Sequence, residues 1–162
     1  MSNFYIFVLP KMNERGCEKK MCRAILLSEV IINRCIENKI SLNTSKLQKL
    51  LYYMQKEHFK RYEKPMFNEP IVAWECGPAI KEVADFFKEG AFGFDADKKY
   101  NEKISLMDSH EDIIQWVLKE YGDISPIEIA EKSRKEESWI KIWNSGLGKG
   151  LEIPLNKEIS CN

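Results

Sequence analysis

Only two histidines, His58 and His110, occur in this 162-residue chain, and they limit the chemistry it can perform. Nucleophilic catalysis needs a serine or cysteine held beside a base and a third orienting group, so any such arrangement must use one of these two imidazoles. His58 falls on the apolar side of a helical pattern, where a hydrogen-bonded buried histidine is the ordinary finding. His110 is expected in an exposed first helical turn. The chain is therefore read as not an enzyme, with no catalytic residue assigned.

Cysteine is similarly uninformative. Cys17, Cys22, Cys35, Cys76 and Cys161 are odd in number and scattered, which fits reduced thiols better than a disulfide framework. Cys17 and Cys22 alone would half fill a tetrahedral zinc site, and neither histidine stands at ligand spacing from them. Cys22 and Cys35 lie on an apolar helical stripe and read as core residues. No metal and no cofactor are expected.

No run approaches the 18 or more apolar residues of a membrane span. The apolar opening Phe4-Tyr5-Ile6-Phe7-Val8-Leu9-Pro10 lacks a preceding basic stretch and a following small-residue cleavage site, so it is a poor secretion signal and a cytoplasmic protein is expected. An edge strand or docked extension is one reading of this segment; a partner-binding tail is the other. The chain also lacks net charge, with 25 basic against 25 acidic residues and a pI near 6.7, which is not the usual footprint of a nucleic-acid binder. The balance is uneven, however. Residues 1–64 hold 13 Lys or Arg against 6 Asp or Glu, and the remainder holds 12 against 19, so the halves carry +7 and −7. Such a polarity steers a charged partner or docks one half on the other.

With 44% hydrophobic residues, the chain is long enough for one compact domain that hides about 70% of its unfolded surface. Ala24, Ile25, Ile31, Ile32, Cys35 and Ile36 recur at helical spacing and predict a helix over 21–36. A second helix is predicted over about 45–62, capped by Thr44 or Ser45, the latter with Gln48 in capping-box position. Leu47, Leu50, Leu51, Met54 and His58 share its apolar face. Lys46, Lys49, Lys56, Lys60 and Lys64 gather opposite with Tyr53 among them. That side is read as a solvated face or, alternatively, as a basic docking strip in which Lys49, Tyr53, Lys56 and Lys60 grip an acidic patch, Tyr53 being the aromatic anchor.

Residues 70–76 read as a short strand, and Gly77-Pro78 as the start of a helix that carries Ile80, Val83, Ala84 and Phe87 and stops at Gly90. Residues 100–106 are the expected second strand. A helix capped by Asp108 or Ser109 follows, with Ile113, Ile114, Trp116, Val117 and Tyr121 apolar and Gly122 as its stop. Ser125-Pro126-Ile127-Glu128 is a strong helix start. Ser133-Arg134-Lys135-Glu136 repeats that logic, predicting a two-turn helix before a new one that carries Trp139, Ile142 and Trp143 inward. Glu136-Glu137 suits a helix N-terminus without any catalytic role. Gly146-Leu147-Gly148-Lys149-Gly150 lacks phosphate-loop spacing and reads as a flexible connector, and residues 153–162 as a terminal piece with a last helical turn.

Leu47-Gln48-Lys49-Leu50-Leu51-Tyr52-Tyr53 with Gln55, Pro65-Met66-Phe67, Ile71-Val72-Ala73-Trp74-Glu75-Cys76-Gly77-Pro78, Tyr121-Gly122, and Glu136 with Trp139 occur in an order and spacing that resembles the SocA-like antitoxin family. This family, also described as the Panacea domain, includes phage-associated proteins. The resemblance covers about residues 20–160; residues 1–19 form an extension outside it. It implies a mainly α, compact multi-helix domain with a small two-stranded β element over residues 20–162. It also implies neutralisation of a cognate protein toxin, encoded by an adjacent gene, through protein contact. Some relatives act as proteolytic adaptors to ClpXP, and a nucleic-acid-binding regulator of phage or toxin–antitoxin genes is the further alternative. No cofactor and no catalytic set come with the resemblance. Leu50, Leu51 and Tyr52 are implied packing residues, Trp74 and Trp139 buried aromatics, and Gly77-Pro78 a helix start. The family's Thr-His before the glutamate and proline before the tryptophan are replaced here by Ser133, Arg134 and Ser138.

Overall fold

A computed structural model describes residues 23–87, 100 and 105–155. Among these, six α-helices surround one another and a small antiparallel sheet: α1 (Ala24–Glu37), α2 (Thr44–Tyr62), β1 (Val72–Trp74), β2 (Gly77–Ala79), α3 (Lys81–Phe86), α4 (Asp108–Tyr121), α5 (Pro126–Arg134) and α6 (Glu137–Trp143), followed by a single 3-10 turn at Asn144–Gly146. The mainly helical expectation is met. The extension 1–19, Cys17, Cys22, Gly90, most of the strand expected at 100–106 and the terminal piece beyond Leu155 lie outside the described residues.

The hub is α2. Asn43 caps it, its side chain accepting from Lys46 N–H at 2.8 Å, one residue earlier than the expected Thr44 or Ser45 cap. Residues 46–55 are all buried, because α1, α3, α4, α5 and β2 pack around them. Leu47, Leu50, Leu51 and Met54 supply the apolar face. Within 46–55 the polar residues do not meet solvent; Lys46, Gln48, Lys49, Tyr52 and Gln55 each bind a neighbouring segment. Gln48 accepts from Ile80 N–H at 2.8 Å and donates to Ile80 C=O at 3.2 Å, so it closes no capping box with Ser45. Gln55 accepts from Met66 N–H and donates to Phe67 C=O, both at 2.7 Å. Lys46 Nζ donates to Gly122 C=O at 2.6 Å, and Tyr52 pairs its hydroxyl with Ser138 at 2.8 Å. Irregular segments must satisfy their backbone groups once buried, and α2 provides the partners.

Around this hub the hairpin departs from expectation. Gly77-Pro78 is a second strand rather than a helix start, with Val72 opposite Ala79 and Trp74 opposite Gly77. Gly77 has φ +108°, and a Cβ there would sit 2.4 Å from Ser133 Oγ, so glycine is required by both conformation and the closeness of α5. The following helix begins only at Lys81. Ser133 is likewise no cap: it lies buried in the last turn of α5, donating to Ala130 C=O at 2.8 Å, and α6 starts after Glu136 with no side-chain cap. The capping box at Ser125 and Glu128 forms as expected.

Candidate partner-binding surface

Of the basic strip read on α2, Lys49 and Tyr53 lie inside the protein, at 2% and 3% exposure. Lys49 donates to Pro78 C=O at 3.1 Å, and burial lowers its pKa to about 8. Tyr53 stacks on Tyr121 with ring centroids 4.4 Å apart; burial and then the nearby Glu136 carboxylate push its phenol well above the usual tyrosine range. Lys56 is half-buried and paired with Glu136, while Lys60 is exposed. The strip is thus not a continuous surface: five elements crowd α2, and only its C-terminal turns reach solvent.

The family-motif residues divide similarly. Leu50, Leu51 and Tyr52 are fully buried, and Gly77 and Pro78 are buried in the hairpin. Trp139 is buried, its indole N–H donating to Trp74 C=O at 3.1 Å. Trp74 is only half-buried and contributes its backbone carbonyl to this contact.

The two histidines meet. His110 is buried rather than exposed, its ring 5.5 Å from that of His58, and burial followed by the His58 charge lowers its pKa to about 4. His58 Nδ1–H donates to Lys64 C=O at 2.7 Å, as a core histidine would. A shallow groove of about 220 Å³ lies nearby, lined by Phe59, Phe67, Ile71, Ile153 and Leu155 among others. Its Gln55 is already engaged with Met66 and Phe67, so that amide offers little to a ligand.

Among the described residues the exposed large apolar side chains are Phe86, Ile127, Ile140, Leu147 and Leu151, and three of the five follow α5. Trp139 anchors α6 to the hairpin and stacks on Trp143 at 5.3 Å, leaving Ile140 half exposed on the outer side. The chain then reverses through Asn144, Ser145 and Gly146, all with positive φ. Gly148 N–H returns to Trp143 C=O, and a Cβ on Gly148 would lie 1.6 Å from the Ile142 oxygen. Gly150 N–H donates to Ala73 C=O at 2.7 Å, Ala73 N–H to Leu151 C=O at 2.9 Å and Ile153 N–H to Ile71 C=O at 2.7 Å. The expected flexible connector is therefore a hydrogen-bonded turn that leads residues 150–153 along the other edge of β1. It holds Leu147 and Leu151 out at 84% and 58% exposure, on the same short stretch as Ile140 at 50%. Sequence reasoning missed these three; a leucine between glycines was the available signal. Large apolar side chains exposed on hydrogen-bonded backbone are the raw material of a protein contact.

Among the described residues, no group of three or more His, Cys, Asp or Glu is placed to hold a metal ion, and no helix is long and apolar enough to cross a membrane. Comparison with known proteins returned one informative result. The family model for the antitoxin SocA-like, Panacea domain matches residues 47–140, from the hub helix through the corner between α5 and α6. No curated protein and no solved structure matches the chain. With more than half of its length under that model, the chain belongs to the antitoxin SocA-like, Panacea domain family.

Proposed function

We propose that this protein is an antitoxin that neutralises a partner toxin by direct contact, acting as a binding protein rather than an enzyme, and that α6 with the turn after it forms the contact. The family supports an antitoxin role in general. The observation that carries the contact is the exposure of Ile140, Leu147 and Leu151 on α6 and the turn after it, a segment tied back to the β1 edge by the hydrogen bonds of Gly150, Leu151 and Ile153. Little order is lost when such a surface binds, so its apolar area contributes to affinity with less entropic cost than a mobile loop would incur. The cognate toxin is sought first in the product of the adjacent gene.

The test is rescue of cells expressing that toxin. Ile140→Asp and Leu147→Asp place charges where apolar contact is needed, and each is expected to abolish rescue while changing the melting temperature little, because both positions are exposed. Rescue by both variants at wild-type level would remove α6 as the contact. Running the assay in hosts with and without ClpXP separates the mechanisms: rescue in both supports neutralisation by contact, and rescue only with the protease supports delivery of the toxin for degradation.

A further inference from the structure

The buried Lys49 ammonium lacks compensation. Its one hydrogen bond is to the Pro78 carbonyl, and the groups acting on its charge are Cys76 and Arg134, the second of like sign. Among the described residues it makes no ion pair with a carboxylate, its ammonium bonding only the Pro78 carbonyl. Burying a charge without an opposite partner is costly, and the positive potential of this one extends to the surface above it. Above Lys49, the last turn and C-cap of α5 carry Lys132, Arg134 and Lys135; Lys132 and Lys135 are exposed and Arg134 half-buried. Among the described residues none of these three has a carboxylate partner, whereas Lys56 and Lys141 nearby are paired with Glu136 and Glu137. Basic residues at a helix C-terminus offset its dipole, which accounts for Lys132 and Arg134 in part. It does not account for a fourth cation buried behind them.

We propose that the corner formed by the end of α5 and the tip of the hairpin, with Arg134, Lys132, Lys135 and the underlying Lys49, is an anion-accepting site that takes an acidic segment of a protein partner. The corner leads directly into α6, so a toxin lying on Ile140 would present its acidic side chains here; in that respect the inference rests on the contact proposed above. A nucleic acid fits less well. Exposed Glu75, Glu131 and Glu137, on the hairpin tip, α5 and α6, leave no long run of positive charge for a phosphate backbone to follow, whereas a short acidic segment needs only the local group of cations.

The test uses the whole chain and a capped hexaglutamate peptide, with a six-nucleotide single-stranded oligothymidylate as comparator, titrated by NMR. Hexaglutamate is expected to shift the Arg134 and Lys49 side-chain resonances, with affinity falling as salt rises from about 20 to about 200 mM. Charge reversal by Arg134→Glu with Lys132→Glu, at positions on the surface of α5, is expected to weaken binding at least about tenfold. Lys49→Met is expected to leave the melting temperature unchanged or raised, since a buried charge is removed, while affinity falls. No peptide binding, tighter binding of the oligonucleotide, or unchanged peptide affinity in the Arg134→Glu, Lys132→Glu variant would each overturn the proposal. The titration contains no toxin, so its failure strikes this site alone, whereas loss of the contact reading shows only in the rescue assay.

Discussion

His110 illustrates how far a single residue can depart from its sequence context. Its Nε2 and that of His58 are buried, and neither has a hydrogen-bond partner among the described residues; burial disfavours the charged form of both rings. The folded protein resists protonating His110 until about pH 4, whereas the unfolded chain takes up a proton near the ordinary value of about 6.5. Below that value the unfolded state binds more protons, so stability falls with pH, by about 2 kcal/mol from His110 alone at pH 5. The urea midpoint should therefore drop between pH 7.5 and 5, and His110→Phe should flatten the drop; an equal drop in that variant would place the titration elsewhere. The residues of α2 carry the same lesson. Lys46 and Lys49 read as part of a solvated face or docking strip and Gln48 as a capping-box partner, because a helical pattern reports which side chains are apolar and not what surrounds the others. Their true partners are backbone groups distant in sequence, as in Gln48 with Ile80 and Lys46 with Gly122.

At the scale of elements, local signals succeeded where the element is defined by its own sequence. The capping box at Ser125 and Glu128, with Pro126 at the first turn, starts α5 as expected, and Gly122 ends α4. They failed where two segments had to be paired. Val72–Trp74 was foreseen as extended, but its partner is Gly77–Ala79 across a two-residue turn, and its other edge is filled by residues 150–153. The glycines of this last segment differ accordingly. Gly148→Ala would drive a Cβ into the Ile142 carbonyl and should cost more than about 3 kcal/mol. Gly150, at φ +82° with open space around it, should cost about 1 to 2 kcal/mol as alanine, from backbone strain alone. Chemical denaturation of the two variants measures the difference; equal costs would show that the turn yields readily and that Leu147 is not rigidly presented.

On the scale of the whole molecule, part of the charge asymmetry between the halves is met by ion pairs between them among the described residues. The basic first half sends α1 and α2 into contact with the acidic second half, as Arg34 with Glu111 and Lys56 with Glu136. Because the surrounding elements pack on α2, its middle turns can open only when the molecule unfolds. Amides of Leu50 to Met54 should exchange with the free energy of global unfolding, and those of the short helix Lys81–Phe86 faster; fast exchange in α2 would mean that it is not the hub. The sequence by itself determined the helical class, the places of α1, α2, α4 and α5, and the family, because apolar spacing, caps and motif order are local properties of the chain. Tertiary structure alone decided that Lys46, Lys49 and Tyr53 on the basic side of α2 face inward, that Gly77-Pro78 closes a hairpin and that the glycine-rich turn holds Leu147 and Leu151 in solvent. Each of these depends on which distant backbone groups must be satisfied once buried, a condition that arises only when the segments come together.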